Sequence, residues 1–383
     1  MLPALTLTGA EVLWPNGFGP GAVHLCAGQI TPDSHGPQID MTGARILPGL
    51  VDLHGDGFEH HMAPRRGALR TGDAGVIATE AELAANGITT ATLAQFFSWE
   101  GGMRGPDFAE AVFDAVTRLR PALGTDLRLQ LRLETHLLDA YDRALAAVDR
   151  YGIDCVVFND HLQHDRLAEG RQPRRLTGQA LKSGRSPKDH LNMMIALHLR
   201  GAEVPAAVDA IADALTQRGI LMGSHDDQSE AHRTAWAARG AHLCEFPETQ
   251  IAAQTAKAGG DCVVLGAPNV VRGASHAGNV SARDLVAEGL CDALASDYHY
   301  PALRTAAQVL GETGILTPEA AWALISTNPA RILGLTDRGA LTPGHRADMV
   351  IMDRASDRIV ATLAGGQVTY LSGTLGARLL RGT

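Results

Sequence analysis

The chain has 383 residues, 45% of them apolar and 20% charged, with 33 basic and 42 acidic side chains for a formal net charge of −9. That profile excludes wholesale disorder, and the acidic balance argues against a protein that coats nucleic acid. No apolar run approaches the roughly 20 residues of a bilayer span, and the opening MLPALTLTGA lacks the parts of a signal peptide, so a cytoplasmic protein with no membrane partner is expected. The five cysteines (Cys26, Cys155, Cys244, Cys262, Cys291) are odd in number and form no C-x-x-C pair, which reads as reduced thiols rather than a disulfide frame.

Residues 1–46 read as short strands between turns, among them LTLTGAEVL and GAVHLCAGQI. From there short apolar runs alternate with stretches of helical period. The runs are Ile46–His54, Thr89–Phe96, Leu127–His136, Asp154–Asp160, Gly219–His225, Ala241–Phe246, Asp261–Pro268 and Asp292–Asp297. Helices are expected between them at Asp107–Arg120, Tyr141–Tyr151, Pro205–Arg218, Glu248–Gly259 and Ser281–Gly289. Eight strand–helix alternations predict an α/β fold, a closed TIM-like (β/α)8 barrel over 47–337. Residues 338–383 return to short strands, and with 1–46 they are expected to form one composite small β-sandwich domain.

Catalytic groups of such a barrel project from the C-terminal ends of its strands. Here the first run ends at His54 and Asp56, the third at Glu134 and His136, the fourth at Asn159-Asp160-His161, the fifth at His225-Asp226-Asp227, the sixth carries Glu245, and the eighth ends at Asp297. A lone buried His or Asp is more often structural. Repetition at one height means several charge-competent groups that something must compensate, and a divalent cation does so, since His with carboxylate suits zinc or a similar ion. His54 and Asp56 share a strand side. On the third run Leu127, Leu129, Leu131 and Leu133 take the face toward the helices, while Arg128, Gln130, Arg132, Glu134 and His136 take the lumen face. Glu245 and His242 have opposite parity, and Glu245, nearer the strand end, is the inward candidate.

Two basic stretches could receive an anionic substrate. Between Asp165 and Asp189 lie Arg166, Arg171, Arg174, Arg175, Lys182, Arg185 and Lys188, seven basic residues against three acidic. Such a run is commonly a solvated loop; following His161, it should overhang the barrel mouth. After the seventh run, Arg272, Ser275, His276 and Asn279 combine a guanidinium with small residues that expose N–H groups, where barrels of this kind often hold phosphate. The alternative is a turn that caps the next helix through Asn279 or Ser281. Arg65 and Arg66 form a weaker third candidate. His60, His61, His164, His190, His198, His232 and His345 show no metal-ligand spacing and are left as surface or structural.

The stretches LPGLVDLHGD and ALTPGHRADMVIMD resemble the metal-dependent amidohydrolase superfamily, and LPGLVDLHGDGFEHHMAPRRG, SHDD, EFPET, GAPNVVRGASHAGNVSA and ASDY resemble its phosphonate-catabolism diphosphatases from about residue 47 to residue 350. The resemblance implies a hydrolase that releases pyrophosphate from a ribosyl alkylphosphonate 5-triphosphate, an anionic phosphorylated small molecule. It implies one or two divalent ions, zinc first and manganese or iron next, held by His54, Asp56, Glu134, His161, His225, Glu245 and Asp297. Asp56 replaces a commoner second His, Glu134 takes a bridging role filled elsewhere by a carboxylated Lys, and Asp297 is the catalytic acid–base. The segment Tyr298-His299-Tyr300-Pro301 departs from the better-known diphosphatases. Two other readings stand beside this one: a C–N hydrolase, such as a deacetylase or deaminase, on the same metal site, and a non-catalytic binding protein on a decayed barrel. A homo-oligomer is compatible with all three.

Overall fold

The apolar run from Ile46 to His54 is two strands, not one. In the computed structural model, which describes residues 2–33, 36–65, 72–273 and 280–382, the strand Ala44–Pro48 belongs to one sheet and Leu50–Gly55 to another. Gly49 is the hinge between them: a Cβ there would sit 2.4 Å from Thr89 Oγ1 and 2.5 Å from its Cγ2. Only glycine lets the chain pass that close while it changes sheets.

The barrel strands are β1 (Leu50–Gly55), β2 (Ile88–Phe97), β3 (Asp126–Glu134), β4 (Cys155–Asn159), β5 (Leu221–His225), β6 (Leu243–Glu245), β7 (Cys262–Gly266) and β8 (Ala293–Ala295). They form one eight-stranded sheet in sequence order, with β1–β2, β3–β4, β4–β5, β5–β6 and β7–β8 pairing in parallel, and a parallel bridge between Gly55 and Asp297 joins its first and last members. β2 is buried at all ten positions, as expected of a strand covered on both faces. The helices Pro106–Leu119, Tyr141–Tyr151, Val204–Gln217, Gln250–Ala258 and Ala282–Ala287 fall where the apolar periodicity predicts them.

The chain divides into two compact units, residues 1–93, 119–128 and 264–383, and residues 94–118 and 129–263. In the first, both chain ends build two sheets: a four-stranded one from Leu5–Thr8, Val23–Cys26, Gln29–Thr31 and Gln38–Asp40, and a six-stranded one that joins N-terminal and C-terminal strands. The joint is the antiparallel pairing of Ala44–Pro48 with Met349–Asp353. Leu5, Leu7, Val12, Ile46, Met349, Ile351 and Leu363 share one buried core there, so neither end can bury its apolar face without the other.

The basic stretch 165–189 is not a loop. It contains the helices His164–Ala168 and Leu176–Lys182 and the start of Pro187–Leu199. Ser186 caps the last of these, its Oγ 3.1 Å from the N–H of Asp189, with Pro187 in the first turn; Ser-Pro is a helix-start signal that the density of charge obscured. The seventh strand also stops earlier than predicted, at Gly266, because Pro268 opens the short helix Ala267–Arg272. Among the described residues no helix is long and apolar enough to cross a membrane.

Candidate active site

In the first unit the end of β1 meets the end of β8. Asp297 N–H donates to the His54 carbonyl (3.0 Å) and Asp56 N–H to the Asp297 carbonyl (2.9 Å). Those bonds set His54, Asp56 and Asp297 on adjoining strand ends. Beneath them Asp52 is fully buried and accepts from Ser296 N–H (3.0 Å) and the Ser296 hydroxyl (2.5 Å). Burial pushes the Asp52 carboxyl above its usual range, more than the Ser296 bonds lower it. Gly55 makes room for this packing, since a Cβ there would lie 2.7 Å from Asp52 Oδ2 and 2.8 Å from the Tyr300 ring. His54 is fully buried, while Asp56 and Asp297 are half-buried.

In the second unit the parity of β3 holds. Gln130 Nε2 donates to Glu245 Oε1 (2.7 Å), and Arg132 Nη2 donates to Asn159 Oδ1 (3.2 Å) and to His225 Nε2 (3.0 Å). The Arg132 and Arg104 guanidiniums both lie over Phe96, 3.8 and 4.0 Å from its centroid. Register places Glu134 beside Asn159 and His225 beside Glu245. Glu134 is fully buried; Oε2 accepts from Trp99 Nε1 (3.1 Å) and His161 N–H (3.2 Å), and Oε1 meets His161 Nδ1. Burial works against a charged His161, yet the Glu134 carboxylate outweighs it and raises its pKa. Since Arg132 donates to His225 Nε2, that imidazole carries its proton on Nδ1, which faces Asp226 Oδ2 at 2.8 Å. Burial likewise opposes ionisation of Asp226, but His225 holds its carboxyl below the usual range.

The donor set of this unit fits a divalent cation. Glu100, Glu134 and His161 each bring one ligand atom within 4.8 Å of the others; the first two are buried carboxylates, Glu100 paired with Arg104 Nη1 at 3.0 Å and Glu134 facing His161. Two oxygens and an imidazole nitrogen suit zinc, manganese or iron. The sequence reading passed over Glu100, although it lies three residues beyond β2, at the height of the other candidates.

A cavity of about 780 Å³ opens beside His225, lined by Asp160, His164, Asp226 and Glu248 and by Arg166, Arg171 and Arg174. Arg166 Nε is held by the Gln172 carbonyl (2.8 Å), and Arg171 is paired with Glu169. Arg185 is a strut: its Nη1 donates to the carbonyls of Trp99 and Glu100, at 3.0 Å each. In the first unit Arg272 ends the Ala267–Arg272 helix, exposed, and donates to the Tyr298 hydroxyl, the residue that opens the departing segment. Ser281 caps the following helix, accepting from Asp284 N–H at 3.4 Å. Arg65 is exposed. Arg66, Ser275, His276 and Asn279 lie outside the described residues.

Three strand exits carry side chains in the left-handed backbone region. Asp226 (φ 61°) follows β5, Phe246 (φ 53°) follows β6, and Asp297 (φ 57°) follows β8. Non-glycine residues seldom adopt this conformation, and where they do they cluster at functional sites. Phe246 sets its ring edge-on to His225, with centroids 5.0 Å apart.

The sequence profile of the Amidohydrolase family matches residues 178–371. The alpha-D-ribose 1-methylphosphonate 5-triphosphate diphosphatase of Escherichia coli (strain K12) is 31% identical, over 84% of this chain and 86% of its own length. An imidazolonepropionase of Deinococcus radiodurans is 27% identical over 97% of this chain and 91% of its own. Among solved structures, the beta-aspartyl dipeptidase of Fervidobacterium islandicum AW-1 superposes with a TM-score of 0.62 at 14% identity, covering 97% of this chain and 98% of that one. Molinate hydrolase superposes at 0.64 and 14%, covering 98% and 95%. At such identities the two structures speak for the fold alone.

Proposed function

The chain belongs to the amidohydrolase family, and we propose that it is a metal-dependent diphosphatase that releases pyrophosphate from a ribosyl alkylphosphonate 5-triphosphate. The observation that carries this reading is the cavity beside His225 with three arginines in its wall, a setting for polyphosphate oxygens. The 31% identical relative of that activity supports it. His54, Asp56, Glu134, His161, His225, Glu245 and Asp297 would hold one or two ions, zinc first. A divalent ion bound there lowers the pKa of water toward neutrality and neutralises phosphate charge.

The chain's own residues do the rest. Asp297, fixed by main-chain bonds to β1, takes a proton from the attacking water and returns it to the leaving oxygen. Glu134, anchored by Trp99 and His161, holds its carboxylate in place without a rotamer search. Arg132 and the cavity arginines answer the negative charge of the triphosphate, and Arg272 supplies a further cation.

The test is to assay the metal-loaded protein in parallel against nucleoside triphosphates, ribosyl phosphonate triphosphates and N-acyl amines. Pyrophosphate released from the phosphonate triphosphate, with kcat/KM well above that for nucleoside triphosphates, is the expected result. Turnover confined to the N-acyl amines would refute it and favour the C–N hydrolase that the family name suggests.

A further inference from the structure

The ends of β3 and β4 and two helices bring together four residues that the proposed hydrolysis does not use. His136 lies two residues past Glu134, Asp160 follows β4, His164 opens the helix His164–Ala168, and His198 lies at the end of Pro187–Leu199. His164 Nε2 stands 3.0 Å from Asp160 Oδ2 and 3.3 Å from Oδ1. His136 Nδ1 is 3.6 Å from Asp160 Oδ1. One donor atom from each of His136, Asp160 and His164 lies within 4.8 Å of the other two. The Leu162 N–H, 3.1 Å from Asp160 Oδ1, pins the carboxylate.

The remaining nitrogen of His164 gives the cluster its direction. His164 Nδ1 and His198 Nδ1 are 2.8 Å apart, so one carries the proton and the other presents a lone pair. Asp160 can only accept, so His164 Nε2–H donates to it and His164 Nδ1 accepts from His198 Nδ1–H; a cation bound between His164 Nε2 and Asp160 would replace that proton, and His164 Nδ1 would then donate to His198. Metal-binding imidazoles commonly hand their second N–H to an acceptor in this way. Access matches: the side chains of Asp160 and His164 are 38% and 36% exposed and line the cavity, while His136 is 6% exposed.

We propose that His136, Asp160 and His164 bind a divalent transition cation, with His198 as a positioning residue, through ligands distinct from those assigned to the hydrolytic metal and in the wall of the same cavity. Two imidazoles and a carboxylate are a zinc-type set. The experiment loads metal-free full-length protein with zinc or cobalt(II) alone and counts metal per chain after desalting. His164→Ala and Asp160→Asn are compared with the unmodified chain, both as such and in a Glu134→Gln background that cripples the principal site. Each substitution is expected to remove about one equivalent in both backgrounds and one component of the cobalt spectrum. His198→Ala should weaken the affinity about 10- to 100-fold, with partial rescue by His198→Gln. Metal content unchanged by His164→Ala and Asp160→Asn overturns the proposal. Metal lost on Glu134→Gln but on neither His164→Ala nor Asp160→Asn overturns it in the same way and leaves the reading of the principal site standing. Circular dichroism checks that each variant is folded.

Discussion

Replacing Arg233 by leucine removes the guanidinium that two buried carboxylates of the second unit, Asp227 and Asp261, share, and leaves Asp261 with the exposed His242 imidazole at 2.7 Å. Arg233 is fully buried. Its Nη1 donates to Asp227 Oδ2 (2.9 Å) and the Ser224 hydroxyl (2.7 Å), its Nε lies 3.1 Å from Asp261 Oδ2, and its Nη2 meets the Ala241 carbonyl. Asp227 and Asp261 side chains are 0% and 2% exposed, so water cannot replace what the guanidinium supplies. Breaking a buried pair by removing one partner costs about 3–5 kcal/mol. That is a large share of a total stability on the order of 5–15 kcal/mol. Urea unfolding followed by circular dichroism, with the thermal midpoint as a second probe, reads the loss. Because uncompensated charge is the cause, adding Asp227→Asn and Asp261→Asn to the leucine variant should recover about 1–2 kcal/mol. Ser224 precedes His225, so the single variant should also bind metal more weakly. A leucine variant within about 1 kcal/mol of the unmodified chain, or a triple variant weaker still, would refute the reasoning.

Asp297→Asn should retain metal but lose about 10²- to 10⁴-fold in kcat; full turnover would remove Asp297 from proton transfer. Glu134→Gln should lower metal content by elemental analysis, and unchanged occupancy counts against its role as a ligand. Arg174→Ala should raise KM for triphosphate substrates about 10-fold or more, the value of one charge-assisted contact, with little change for an uncharged substrate. Burial first, and the Arg185 guanidinium second, hold the His190 imidazole below its ordinary range. Its neutral form therefore adds stability that is present above about pH 6.5 and lost as pH falls through that value toward the lower folded pKa. The drop in thermal midpoint between pH 7.5 and 5.5 should be smaller in His190→Leu, and an equal drop would show that His190 does not titrate this way.

The barrel was legible because each strand is a short apolar run and each helix keeps its period, so the register of Glu134 beside Asn159 and His225 beside Glu245 follows from where the runs end. Less legible were features set by packing. The switch of sheets at Gly49 depends on Thr89, 40 residues away, and nothing local marks it. The carbonyls that Arg185 Nη1 reaches belong to residues 99 and 100, and nothing near Arg185 in sequence marks them. The histidines at 164 and 198 have no useful spacing in sequence, because two separate helices bring them together. Glu100 was missed although a consistent reading of strand ends would have reached it.

The bent exits after β5, β6 and β8 limit how this protein can change. At Asp226, Phe246 and Asp297 a β-branched replacement would fight its own main chain at roughly 1–2 kcal/mol per position, before any chemistry was altered. Asparagine and glycine alone would enter cheaply. Mutational libraries meant to shift substrate preference would therefore do better to hold these three corners constant and spend their diversity on the positions of the cavity wall that stand on helices, such as Arg166, His232 and Trp236.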